Sequence, residues 1–152
     1  MQGRYALAEE SEGGRNDTLY VLNSAYRDKE TGFDTAAGVA RCDGAQCKVK
    51  FRWYLPAGDY RVLDTDYSNY AVIYSCTDLL GVAKTEYLWI LSRDIELSDK
   101  LLKQAQNVIR ERVPSYDLNN MYDTKQGGKC KYLPLQNLED AFFNEGLLSD
   151  DK

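Results

Sequence analysis

Apolar and polar residues alternate along most of the first 93 positions, and the alternation is sharpest over 48–55. There Val49, Phe51, Trp53 and Leu55 fall on one side and Lys48, Lys50 and Arg52 on the other. A period of two with one apolar and one charged side predicts an antiparallel strand with one wet face. Similar segments span 4–9 (Tyr5 and Leu7 on one side), 18–27, 33–41, 59–65, 70–77 and 84–92. Turn-forming stretches separate them: Glu12-Gly13-Gly14, residues 28–32, Asp43-Gly44-Ala45-Gln46, Pro56-Ala57-Gly58 and the region of Gly81. Strands at this spacing with hairpin-length turns predict a meander, sandwich or barrel.

After Arg93 the period changes. Ser98 can cap a helix over about 98–113, with Asp99 in its first turn and Leu101, Leu102, Ala105, Val108, Ile109 and Val113 on one face. Pro114 ends it. An eighth strand is expected around 120–124. Residues 134–152 form an acidic tail, with Phe142-Phe143 and Leu147-Leu148 as its apolar spots, read as mobile or loosely docked. Residues 1–133 are therefore read as one barrel domain. An eight-stranded up-and-down barrel has room inside for one small ligand, and Phe51, Trp53, Tyr60, Tyr87 and Trp89 are large aromatics on its expected inner positions. Singly, each suits an ordinary core. Together they suit the walls of a pocket for a flat apolar molecule.

Composition narrows the chemistry. The 152 residues include no His, which removes Ser-His-Asp and Cys-His triads and His-ligated metals. A formal net charge of −5 disfavours a nucleic-acid partner. The apolar runs are too short for a transmembrane helix, and Gln2-Gly3-Arg4 begins no signal peptide.

Of the four cysteines, Cys42 and Cys47 flank the turn at 43–46. Facing residues in a hairpin lie within disulfide reach, which favours a bridge over two buried thiols. Cys76 and Cys130 complete no Cys-x-x-Cys pair, so a metal site is disfavoured. Asn16-Asp17-Thr18 is a glycosylation acceptor triplet. The bridge and the triplet lean toward an oxidising, secretory environment.

The run Thr65-Asp66-Tyr67-Ser68-Asn69-Tyr70 resembles the Thr-Asp-Tyr-x-x-Tyr signature of the lipocalins, members of the calycin group of barrels. Trp89-Ile90-Leu91-Ser92-Arg93 is similar to their third signature, an Arg closing the last long strand before the helix. Val21-Leu22-Asn23 and Lys50-Phe51-Arg52-Trp53-Tyr54-Leu55-Pro56 resemble the apolipoprotein D and bilin-binding branch. The similarity runs from about Gln2 to Leu133. Fatty-acid-binding-protein barrels, with helices near the start, and avidin-like barrels, with none, fit less well.

The resemblance implies an all-β, eight-stranded up-and-down barrel with one C-terminal helix packed outside. Such proteins are secreted, and they bind and transport small hydrophobic molecules: steroids, retinoids, fatty acids, bilins or carotenoids. By position it places ligand-wall residues at Tyr5, Asn23, Phe51, Tyr60 and Trp89, to which the alternation adds Trp53 and Tyr87. Thr65, Asp66, Tyr67, Tyr70 and Arg93 are structural, with Asp66 accepting turn N–H groups. No Gly-x-Trp first strand is present, so the chain reads as a lipocalin truncated at its N-terminus. In the family the cysteines matching Cys76 and Cys130 pair with partners that lie outside this chain, which would orphan both. The expected consequence of the missing strand is weak binding, misfolding or self-association. The leading expectation is a non-enzymatic carrier with no obligatory cofactor. The alternative is a subunit of a homo- or hetero-oligomeric pigment-protein assembly. One lipocalin branch isomerises prostaglandin endoperoxides through a barrel cysteine. No cysteine here lies before position 28, so catalysis is disfavoured.

Overall fold

The computed structural model describes residues 2–7, 17–52, 54, 56–79 and 82–132. Trp53, Asn16 and the acidic tail 134–152 lie outside these residues. Among the described residues there are seven strands: β1 (Gln2–Leu7), β2 (Thr18–Asp28), β3 (Gly32–Asp43), β4 (Gln46–Lys50), β5 (Gly58–Thr65), β6 (Tyr70–Leu79) and β7 (Ala83–Ser92). One α-helix, α1 (Asp99–Arg112), follows, then a 3-10 turn at Leu118–Asn120. The chain divides into two compact units.

The first unit contains β1, β2 and β3 together with residues 48–57 and the stretch from Gly127. Its strands pair antiparallel in chain order. Tyr5 stands opposite Val21, and Val21 opposite Gly38; the neighbouring row runs Arg4, Leu22, Ala37. Val21 and Leu22 are both buried although they point to opposite sides, so β2 is covered on both faces. Tyr26 meets Phe33 edge-to-face with ring centroids 5.5 Å apart, and Lys131 Nζ lies 5.4 Å from the Tyr26 ring centroid, a cation–π approach.

The second unit contains β5, β6, β7 and α1. β6 and β7 pair without interruption from Tyr70↔Ser92 to Leu79↔Ala83, whereas the β5–β6 register shifts between Val62 and Asp64. Tyr70, Val72 and Leu88 form a core with Ala105 and Ile109 of α1, and Leu63, Tyr74, Ile90 and Leu101 pack around it. The helix exists because its Ala105–Ile109 stripe has this sheet face to cover; burying a side chain the size of Ile109 contributes roughly 1.5–3 kcal/mol. Ser98 caps its start by accepting from the Leu101 N–H, and the Val113 N–H, donating to the Ile109 carbonyl, closes its end.

Two expectations need correction. The strand expected over 48–55 ends at Lys50, and Phe51 and Arg52 lie in a bend. The alternation records which side each residue faces and says nothing of where ladder hydrogen bonds stop. No strand forms at 120–124. Asp117 instead caps the 3-10 turn, accepting from the Asn119 backbone and side-chain amides at 2.9 Å each.

Candidate functional site: two faces bearing aromatic residues

In the first unit the alternation of β1 and β2 brings Gly3, Tyr5, Val21 and Asn23 to one side of the sheet. A Cβ added at Gly3 would sit 3.2 Å from the Tyr5 hydroxyl oxygen and 3.3 Å from Asn23 Oδ1, so these two polar atoms flank the same spot. Farther along, the Phe51 ring lies on Gly38, where a Cβ would fall 2.7 Å from Phe51 Cδ1 and 3.0 Å from the Lys50 carbonyl. Glycine at position 38 is therefore what lets the ring lie against β3. Tyr5, Val21, Gly38 and Phe51 make a row that ends, on β1, in a Tyr exposed to 43%. Three of the expected wall residues, Tyr5, Asn23 and Phe51, thus belong to one unit. Gly38 was not singled out from sequence, although a glycine inside an alternating strand is a signal of close approach.

In the second unit α1 covers the side of β6 and β7 that carries Val72 and Leu88. The opposite side carries Ile73, with Val62 and Trp89 as its two cross-strand neighbours. Tyr60 shares the Val62 side by alternation. Tyr87 and Trp89 stack there, their planes 10° apart and centroids 5.6 Å apart. Trp89 is half-buried and Tyr87 is 55% exposed, so the core does not consume this pair.

The signature residues converge on the turn between β5 and β6. Asp66 Oδ1 accepts from the backbone N–H of Ser68 (3.1 Å), Asn69 (2.7 Å) and Tyr70 (3.0 Å), and Oδ2 accepts from the Asn69 side-chain amide at 2.7 Å. Donors converging on the ionised form, the Asn69 side-chain amide foremost, hold its pKa down to about 2. Thr65 Oγ1 donates to the Tyr70 carbonyl and accepts from the Tyr67 N–H. Tyr67 itself takes φ +62° and is 82% exposed. The Tyr70 hydroxyl donates to Asp64 Oδ2 at 2.5 Å and accepts from Gln104 of α1 at 3.0 Å. Its burial, and then the carboxylate beside it, raise its pKa to about 12. Asp64 is thus held by a phenol and Asp66 by turn amides. Gln104, the anchor on the helix, carried no signal in the sequence.

Cys42 and Cys47 are disulfide-bonded, and Cys76 and Cys130 are reduced thiols. Among the described residues no group of three or more His, Cys, Asp or Glu could hold a metal ion, and no helix is long and apolar enough to cross a membrane.

A model of the lipocalin / cytosolic fatty-acid binding protein family matches residues 8–128. The chain belongs to this family. Apolipoprotein D of Macaca fascicularis is 32% identical over 129 residues, covering 83% of this chain and 64% of that protein. Apolipoprotein D of Bos taurus is 31% identical, covering 72% and 56%. This chain therefore spans less than two thirds of the length of these relatives. The crustacyanin-A1 subunit of Homarus gammarus is 34% identical over 71 residues, 47% of this chain and 38% of that one. The solved structure of lobster apocrustacyanin A1 superposes with a TM-score of 0.65 at 20% identity, over 84% of this chain and 67% of that one. The fold is the all-β lipocalin fold, and the similarity in sequence is to the apolipoprotein D and crustacyanin branch.

Proposed function

We propose that residues 1–133 act as one lipocalin barrel that binds and carries a small hydrophobic molecule, of the steroid, retinoid, fatty acid, bilin or carotenoid kind, without catalysis. The Tyr87–Trp89 stack carries this reading. It sits on the side of β6–β7 that α1 leaves uncovered, and its outer ring is more than half exposed. Apolar ligand surface buried on it is worth about 25 cal/mol per Å². Tyr5, Asn23, Phe51, Trp53 and Tyr60 are the other proposed wall residues, with Asn23 and the tyrosine hydroxyls orienting polar groups of the ligand. The Cys42–Cys47 bridge supports a secreted protein, and Asn16 is its proposed glycosylation site.

The test is titration of the protein with a retinoid, a bilin, a steroid and a fatty acid while tryptophan emission is followed. A saturable change to which both Trp89 and Trp53 contribute, weakened in Trp89→Phe and in Trp53→Phe, is the expected result. Silence from all four ligands in a folded protein would overturn the proposal. The second reading, a subunit of a multi-barrel pigment assembly, rests on the similarity to a protein named as a crustacyanin subunit. Sedimentation that changes with bound ligand separates it from a monomeric carrier.

A further inference from the structure

The side of β6–β7 opposite α1 grades from apolar to hydroxylic along the strands. Its cross-strand pairs run Ala71↔Leu91, Ile73↔Trp89, Ser75↔Tyr87 and Thr77↔Thr85, in unbroken register. Directly opposite residues project to the same side, so Ser75, Thr77 and Thr85 set their hydroxyls beyond the Trp89 ring. Ile73 is buried, Ser75 and Thr85 are half-buried, and Thr77 is exposed. The strand path from Trp89 to Thr85 is about 13 Å at the usual rise per residue. The stacked rings of Trp89 and Tyr87 line its first part, and the two threonines stand at its end.

The charges go to the other side. By alternation Asp59, Arg61, Asp64, Asp78, Lys84 and Glu86, the charged residues of β5, β6 and β7, all fall on the same side as α1. Arg61 pairs there with Asp59 at 3.0 Å and Lys84 with Glu86 at 2.8 Å, while Asp64 accepts from the Tyr70 hydroxyl. What these strands turn toward a ligand is therefore polar but uncharged. Hydroxyls both donate and accept, which suits the oxygen of an alcohol or a ketone. They bring no positive charge to balance a carboxylate, whose desolvation against this face would go uncompensated.

We infer that this face selects a flat apolar molecule ending in an uncharged oxygen, an alcohol or a ketone, over one ending in a carboxylate. The body lies along the Tyr87–Trp89 stack, and the oxygen meets the Thr77–Thr85 pair, with Ser75 one rung behind it. Ser75, Thr77 and Thr85 are then the residues that set specificity. The inference rests on the carrier reading and narrows its ligand class.

The test is titration of the full chain with two matched pairs, retinol against retinoic acid and pyrenebutanol against pyrenebutanoic acid. Tryptophan emission is followed at about pH 8, well above the pKa of a carboxylic acid. Each alcohol is expected to bind at least tenfold more tightly than its acid. Thr77→Val with Thr85→Val, which keeps the branched shape and removes the hydroxyls, should weaken retinol several-fold and leave its oxygen-free hydrocarbon analogue unchanged. Thr85→Lys, which puts a cation on the rung, should reverse the order of each pair. An acid bound as tightly as its alcohol, or retinol bound equally by the parent and the valine variant, would overturn the inference and leave the carrier reading standing. Silence from both pairs overturns it as well, and the carrier reading falls with it only when the steroid, the bilin and the fatty acid are silent too. The alcohol-to-acid ratio of the unaltered chain decides the matter even where a variant does not fold.

Discussion

The Arg93 guanidinium donates to the backbone carbonyl of Tyr67 through Nε at 3.2 Å and Nη2 at 3.0 Å, across 26 positions of sequence. The carbonyl belongs to a residue in the left-handed region, so one exposed cation ties the end of β7 to the sharpest bend of the β5–β6 turn. Arg93→Ala is expected to lower unfolding stability by about 1 kcal/mol, below the usual range for a charged donor because the site is open to water. Arg93→Lys recovers only part of this, since an ammonium cannot bind through two rigidly fixed N–H groups. Urea titration of the three proteins checks the order.

Acid should act on the same turn through Asp66. Its pKa is depressed in the folded protein to about 2 from an ordinary value of 3.8. The folded state therefore holds fewer protons than the unfolded state between these values. The stabilisation is complete above about pH 4 and is lost as pH falls through about 2. Asp66→Asn is expected to be less stable than the parent at pH 7, with the gap narrowing over that window, as thermal melts from pH 7 to 2 can measure.

Tyr70→Phe removes the hydroxyl that joins Asp64 to Gln104. The expected cost is about 1–3 kcal/mol, because a half-buried carboxylate loses its donor. The raised phenol pKa adds an alkaline signature. The parent keeps this stabilisation below about pH 10 and loses it as pH climbs through about 12. Tyr70→Phe lacks that limb. A double-mutant cycle with Asp64→Asn tests whether the pair is coupled.

Gly38→Ala is expected to displace Phe51, since the added methyl would lie 2.7 Å from its ring. Overpacking of this kind costs about 1–3 kcal/mol. Ligand affinity is expected to fall in the still-folded variant, and Phe51→Leu in the same chain to restore stability without restoring affinity. Unchanged affinity in Gly38→Ala would remove Phe51 from the proposed wall.

Much of this was legible in the residues. The alternation placed Tyr87 and Trp89 on one side, and the Thr65–Tyr70 signature marked the turn whose hydrogen bonds are local. Less legible were features set by chain segments distant in sequence. Nothing near Gln104 announces that it will reach the Tyr70 hydroxyl, 34 positions away, because that contact depends on where the helix docks. The end of β4 was misplaced for a related reason. Phe51 keeps its apolar face whether or not its backbone is in a ladder, and its seat over Gly38 is a property of β3. The expected strand at 120–124 gave way to an Asp117 cap, a short-range side-chain bond competing with the extended backbone.

The order of separations around the turn bears on how the second unit assembles. The bonds that shape it join residues two to five positions apart, whereas Arg93 and Gln104 reach it from 26 and 34 positions away. Closure entropy grows with the length of chain enclosed. The β5–β6 hairpin can therefore close before β7 and α1 have anything to gain from docking. Kinetically, residues 65–70 are then a nucleus. Substitutions at Thr65 or Asp66 would slow refolding, while those at Arg93 or Gln104 would mainly hasten unfolding.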